Sequence, residues 1–392
     1  LQTTLLQLTG AAANWLRTSR VDGQQIGRMV VDVVLFADSA MHGTVDACDA
    51  GGIDPQVRAV MVTESGRTAW RFQKDAAADE MVAAAAAAAK VGMPTAAQVF
   101  SFAARSTADA IGNSNVPVAQ PGSDVRPAGV AGRFYPADGE TLAKIVSDCL
   151  GEIPATKETW PAVMVPHAGL QFSGRIAADV LKKIELPGTV IIIGPKHTRQ
   201  GVEWAVAPHS TWQLPGATVQ ADRELAQTLA ERIDGLELDS AAHAQEHCIE
   251  VELPFLSRLA PDTKIVGVAV GGGSLKCCQL FGQQLAAVIT ELPAPPLLMI
   301  SSDMNHFATD EENRKVDEIA LAAMESLDPS ELFEIITSKN ISMCGFRPAV
   351  IVMEALRTMK QLSKIQRGSY ATSADVSGDK SRVVGYAGML LG

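Results

Sequence analysis

The sequence predicts an α/β protein, a layered domain with a mostly parallel central sheet, preceded by a small α+β unit. Three observations predict it. Short unbroken apolar runs at 162–165, 190–193 and 297–300 alternate with segments of helical period, as strands buried on both faces do in parallel sheets. Each run is followed within a few residues by a polar, chemistry-bearing side chain: His167, then His197, then Asp303 and His306. A stretch at 112–128, rich in Gly, Pro, Ser and Asn and without periodicity, reads as a linker between residues 1–111 and 129–392.

In the first unit, Leu5, Leu8, Ala12, Trp15 and Leu16 give 5–16 a helical period. Met29–Phe36 reads as a strand, and 57–63 and 68–73 read as two more around a Glu64-Ser65-Gly66-Arg67 turn. The alanine-rich stretch 75–89 is a helix, since alanine is the best helix former. His42, Asp46, Cys48 and Asp49 are read as a polar loop after the strand rather than a metal cluster. The second unit reads as a helix at 138–150, strand 162–165, helix 173–184 and strand 189–193, then an irregular section to about 221. Helices at 222–233 and 246–259, strand 264–270, helix 274–291 and strand 297–301 follow. Helices at 310–326, 329–338 and 347–362 and a last strand at 383–391 complete it.

A chain of 392 residues accommodates two domains with a substantial core. The net charge of −11 and an aromatic content of 5% exclude nucleic acid and anionic membrane as main partners, because both require a basic face. No apolar run reaches the roughly 18–20 residues of a membrane span. The six cysteines show no C-x-x-C spacing, and the first residues lack the basic segment of a signal peptide, so a cytoplasmic location is expected. The first residue is Leu1 and not Met, so residues upstream of it are expected.

A histidine after one strand is ordinarily structural, but here three lie in Gly-, Pro- or Ser-marked turns at predicted strand ends. In open sheets ligands bind outside the carboxyl ends of the strands. Cys344, in S-M-C-G-F-R-P, precedes a helix that Pro348 can begin, and a helix dipole favours the thiolate that binds metal; an inert buried cysteine is the alternative. Two imidazoles and a thiolate, from His167, His197 and Cys344, would hold one face of a divalent ion and leave positions open. In E-H-C-I-E-V-E-L-P-F, His247 and Glu250 are three apart on the expected helix that Pro254 stops. They suit an oriented imidazole or a substrate clamp, and equally a solvated acidic helix start. Gly271-Gly272-Gly273 reads as a plain turn, Cys277 and Cys278 as packed, and Ser301-Ser302 lacks the serine-hydrolase elbow. His209 and His243 have no ordered context.

The ordered motifs A-G-R-F-Y-P, P-H-A-G, G-P-K-H, E-H-C-I-E-V-E-L-P-F, S-S-D-M-N-H and C-G-F-R-P resemble the Memo family, labelled AmmeMemoRadiSam system protein B in bacteria and archaea. The resemblance covers 129–392 and leaves residues 1–111 unassigned. It implies a fold similar to class III extradiol dioxygenases and metal ligands at His167, His197 and Cys344. It also implies pocket roles for Asp303 and His306, the latter as acid/base, with His247 and Glu250 beside the cleft. Fe(II) is the implied ion, and the softer thiolate brings copper or zinc into competition. Cys248 and Glu252 stand where Memo proteins often have Ser and His. The implied function is a non-haem iron oxidoreductase of dioxygenase type acting on a small substrate. A non-catalytic module capturing a small-molecule or peptide ligand and a metallohydrolase are the alternatives. The family label also implies a functional link to a radical-SAM protein, although this chain has no C-x₃-C-x₂-C motif.

Overall fold

The computed structural model of the chain describes Gly10 and residues 32–64 and 66–392. Strands β1 (Val34–Thr44), β2 (Arg58–Glu64), β3 (Arg67–Gln73), β4 (Gln98–Ser106) and β5 (Ala110–Asn115) form an antiparallel sheet in the order β1-β4-β2-β3-β5. Helix α1 (Ala78–Ala88) covers one face, packing Met81, Val82, Ala85 and Ala86 on Val60, Val62 and Val99. Glu64 pairs with Arg67, and Gly66 at φ +77° supplies the left-handed turn residue that so tight a hairpin requires.

Three expectations for this unit change. The strand expected at 29–36 runs from Val34 to Thr44, so His42 lies in a strand and not in a loop; its pairing with β4 carries it on, through two register shifts. The sequence reading missed β4 altogether. Strand β5 takes in residues 112–115 of the expected linker, because a polar edge strand needs only backbone pairing to β3. The helix expected at 5–16 lies outside the described residues, as do residues 29–31.

The second unit contributes β6 (Val125–Arg126), β7 (Ala162–Val165), β8 (Thr189–Pro195), β9 (Trp204–Val206), β10 (Thr211–Leu214), β11 (Ala217–Gln220) and β12 (Glu237–Leu238). It continues with β13 (Lys264–Val270), β14 (Leu297–Ser301), β15 (His306–Ala308), β16 (Ile365–Thr372) and β17 (Val383–Leu391). Nine of these strands form one sheet in the order β12-β9-β13-β8-β14-β7-β17-β15, with β16 paired to β17. Its centre, β13-β8-β14-β7, is parallel. The expected mostly parallel sheet is in fact mixed, because β17 and β9 join antiparallel on either side. Strand residues alternate between two cores. Met164, Ile191, Ile193, Val268 and Ile300 face one layer, and Val163, Val165, Val190, Ile192 and Met299 face the other. Burial on both sides is why these runs are uniformly apolar, and each such side chain contributes roughly 1.5–3 kcal/mol.

The helix expected at 246–259 starts only at Leu253, after a 3₁₀ turn at Glu250–Glu252, and Pro254 sits in its first turn instead of ending it. A first-turn residue needs no N–H partner, so proline starts this helix. No helix of the described residues is long and apolar enough to cross a membrane.

Candidate metal centre

Because β7, β8 and β14 are parallel neighbours, the residues that follow them share one edge. His167 follows β7 and is wholly buried; His197 follows β8 with about a third of its side chain exposed, at 32%. Asp303 follows β14. His247 joins them from the loop ahead of the 3₁₀ turn. Ligand nitrogens of His167, His197 and His247 lie within 4.8 Å of one another, the one such cluster among the described residues. The His197 and His247 rings stack at 4.3 Å, and His167 stands edge-on to both at 5.2 Å. Phe134, from A-G-R-F-Y-P, stacks on the far side of His247 at 4.2 Å.

The carboxylate that orients this cluster is Glu246. Its Oε1 accepts from His197 Nδ1 at 2.8 Å and lies 3.3 Å from His247 Nδ1, and its Oε2 accepts from the His197 N–H at 2.5 Å. Burial alone would raise this carboxyl, but the bond from His197 and the neighbouring imidazoles bring it down to about 2. An ionised Glu246 can only accept, so His197 carries a proton on Nδ1, and Nε2 is the ring atom left to face an ion. His167 is fixed in the same sense. Ser301 Oγ is 2.6 Å from the Cys248 carbonyl, to which it must donate, so at 2.7 Å it accepts from His167 Nδ1–H. Burial, reinforced by His197, pushes His247 down to about 4, and burial with the other imidazoles pushes His167 well below the usual range. Neutral imidazoles with a bare nitrogen are the form that binds a metal ion, so the donor set fits a divalent transition metal.

Cys344 Sγ lies 3.3 Å from His167 Nε2 and accepts from the Asp303 N–H at 3.2 Å, but it is outside the three-imidazole cluster. Gly345 permits this approach, since a Cβ there would fall 2.4 Å from Ser302 Cβ. Burial, with Asp303 beside it, pushes the Cys344 thiol up, against the thiolate that the helix dipole would favour. Desolvation outweighs the helix dipole here. Burial also raises Asp303 to about 7, despite N–H bonds from His167 (2.9 Å) and Ala168 (3.2 Å) to its Oδ1. His306, on β15, is kept neutral chiefly by burial, and its Nδ1–H donates to the Ser342 carbonyl at 2.8 Å.

Glu250 is not brought to the cluster. Its carboxylate is fully buried against Arg126 and the Tyr135 hydroxyl and accepts from the N–H groups of Gly129 and Val130, both at 3.0 Å. On the expected helix Glu250 would share a face with His247; the turn at 246–249 sends it the other way. The orienting residue that the sequence reading missed is Glu246, in the same motif. Its signal was Pro254, which as a first-turn residue leaves Glu246 and His247 in a loop. Ser301, which lacks an elbow motif, was likewise missed. His42 has partners for both ring nitrogens, the Asp49 carbonyl at 3.0 Å and Ser101 Oγ at 2.7 Å.

The fold and this edge define an α/β protein with an imidazole cluster at the carboxyl ends of parallel strands. A family model described as Memo-like protein matches residues 126–390, and the chain belongs to the Memo family. It is 39% identical to a MEMO1 family protein of Aquifex aeolicus over 68% of this chain and 98% of the relative. It is 40% identical to a MEMO1 family protein of Methanobrevibacter smithii over 67% and 98%, respectively. An uncharacterized Escherichia coli K12 protein of known structure aligns with a TM-score of 0.43 at 13% identity, covering 59% of this chain and all of that one.

Proposed function

We propose that the protein is a metal-dependent oxidoreductase of dioxygenase type, with the imidazole cleft as its active site. The observation that supports this is the convergence of three imidazoles beside an acid/base pair, Asp303 and His306. Fe(II) is the proposed ion, held by His167 and His197 with His247 or Cys344 completing the set. When bound it supplies open positions at which O₂ and a vicinal diol or phenolate meet. Asp303, raised to about 7, can give or take a proton near neutrality, and its Oδ1 is anchored by two N–H groups. The ring of His306 is fixed through Ser342, and Phe134 closes the His247 side against water. The all-imidazole set favours a second reading, a zinc-dependent hydrolase with Asp303 as base.

Reconstitution with Fe(II) under anaerobic conditions should give one ion per chain, lost in His167→Ala and His197→Ala. Comparing Cys344→Ser with His247→Ala identifies the third donor. Oxygen uptake with a panel of catechols should follow. Full metal content in both histidine variants would end the site assignment. Uptake no greater than that of the apo protein would favour a binding module, and zinc-dependent ester hydrolysis without oxygen would favour the hydrolase.

A further inference from the structure

Six residues other than glycine hold a positive φ among the described residues, and one of them is out of place. Lys90, Leu327, Asn340 and Lys360 each follow the last turn of a helix, where the left-handed conformation is usual. Asp38 sits at a register shift in β1, and a short polar side chain tolerates the conformation. Phe307, at φ +71°, is the aromatic member, and for a bulky side chain this conformation is strained. It directly follows His306, and the pairing of β15 with β17 skips it: His306 faces Val384, and Ala308 faces the next residue, Val383. Such a bulge re-aims a side chain. Here it turns the ring outward, 62% exposed, more than any other aromatic side chain of the described residues. So exposed a ring gains little from packing, and folding stability does not account for the strain.

Two contacts point to what the ring serves. Its centre lies 5.5 Å from the His306 ring, in an edge arrangement, so it stands on the rim beside the proposed acid/base. Above it lies Arg382, with the guanidinium carbon 4.3 Å from the ring centre. Arg314, on the helix at Asp310–Glu325, and Arg367, on β16, are each paired with two carboxylates. Arg382 has no ion pair among the described residues, although the chain carries a net charge of −11. A guanidinium over a ring face keeps the N–H groups at its edge free, and their fork matches a carboxylate. Two ring-contact distances separate that charge from His306, a span that one small aromatic acid can bridge.

We propose that Phe307 and Arg382 are specificity-determining residues of the cleft: the guanidinium seats a carboxylate borne by an aromatic substrate, and the strained ring holds the guanidinium at the rim. That the rest of the substrate reaches a metal rests on the function proposed above; the carboxylate seat does not. Calorimetric titration of the full chain, metal-free and Zn(II)-loaded, with 3,4-dihydroxybenzoate and its neutral amide tests it, because the two probes differ in charge and hardly in shape. The acid should bind about tenfold more tightly than the amide, and the preference should shrink as salt is raised. Arg382→Gln should abolish the preference and leave amide binding unchanged. Phe307→Gly should lower the acid's affinity severalfold yet unfold at a temperature equal to or above that of the wild type, because glycine takes φ +71° without strain.

Equal affinity for acid and amide, or no saturable binding of the acid to either form, would overturn the proposal. So would a preference kept in Arg382→Gln and lost in Arg133→Gln, on the His247 side, where Arg133 donates to Gln245 Oε1 at 3.2 Å. A lower unfolding temperature for Phe307→Gly would make the ring a packing residue and overturn it as well. An Arg382-dependent preference in a chain that consumes no oxygen with any catechol would instead sink the dioxygenase reading and leave the seat standing.

Discussion

The five-stranded sheet of residues 34–115 and the nine-stranded sheet that follows differ in what they leave at their ends. In the first, burial alternates along β2 and β4, helix α1 covers one face, and Phe36 on the other is 41% exposed and packs against Trp70. Its polar residues are partnered locally: His42 and Arg58 both contact Ser101. In the second, the central strands are buried on both faces and expose only their ends, and the polar groups gathered there have nitrogen lone pairs to offer. A histidine that finishes its hydrogen bonds inside its own sheet is structural. One that finishes half of them at a sheet edge is free to act.

The sharpest break between the two regions should come from the buried ion pair. Glu250→Ala leaves Arg126 charged and unpartnered inside the protein and should cost the second unit about 3–5 kcal/mol in urea unfolding. Hydrogen-exchange protection in β2 and β4 should not change; a matching loss there would mean that the units unfold as one. Next in size is Glu246→Gln, which should weaken Co(II) or Zn(II) binding about 10–100-fold in calorimetric titration, since outer partners orient the ligating rings.

A comparable effect should appear in acid. The folded chain holds His247 at about 4, whereas the unfolded chain titrates near 6.5 and so binds more protons between those values. Stability contributed by His247 is therefore present above pH 6.5 and is lost as the pH falls toward 4. Asp303, raised to about 7, acts in the opposite sense, because the folded carboxyl gains its proton first. Removing the imidazole in His247→Asn should reduce the stability lost between pH 7 and 4.5 by about 2–3 kcal/mol. An unchanged slope would show that His247 is not held neutral. The smallest effect belongs to the first sheet: His42→Ala should cost about 1 kcal/mol, the value of an ordinary hydrogen bond, and leave metal binding untouched.

The same contrast explains what could be read in advance. Strands β7, β8 and β14 were legible because burial on two faces leaves continuous apolar runs, and with them came His167, His197 and Asp303. Strand β9 has only three residues and β16 is largely half-exposed, so neither leaves such a run, and both were missed. His247 was recognised beside the cleft, but its carboxylate was misplaced by four positions, at Glu250 and not Glu246, because a loop was taken for a helix. Ser301 and the Glu250 clasp were invisible for a different reason. Their partners lie 49 to 134 positions away for Ser301 and 115 to 124 for Glu250, distances at which no local pattern carries information.

The clasp has a consequence for how the cleft is assembled. Gly129, Val130 and Tyr135, all held by Glu250, flank Phe134, which lies on His247. One wall beside the imidazole cluster is thus lent by a short length of chain that folds in from the exit of the first sheet. A protease cut or a circular permutation opened between Arg126 and Phe134 would dismantle that wall while every nitrogen and sulfur donor stayed in place.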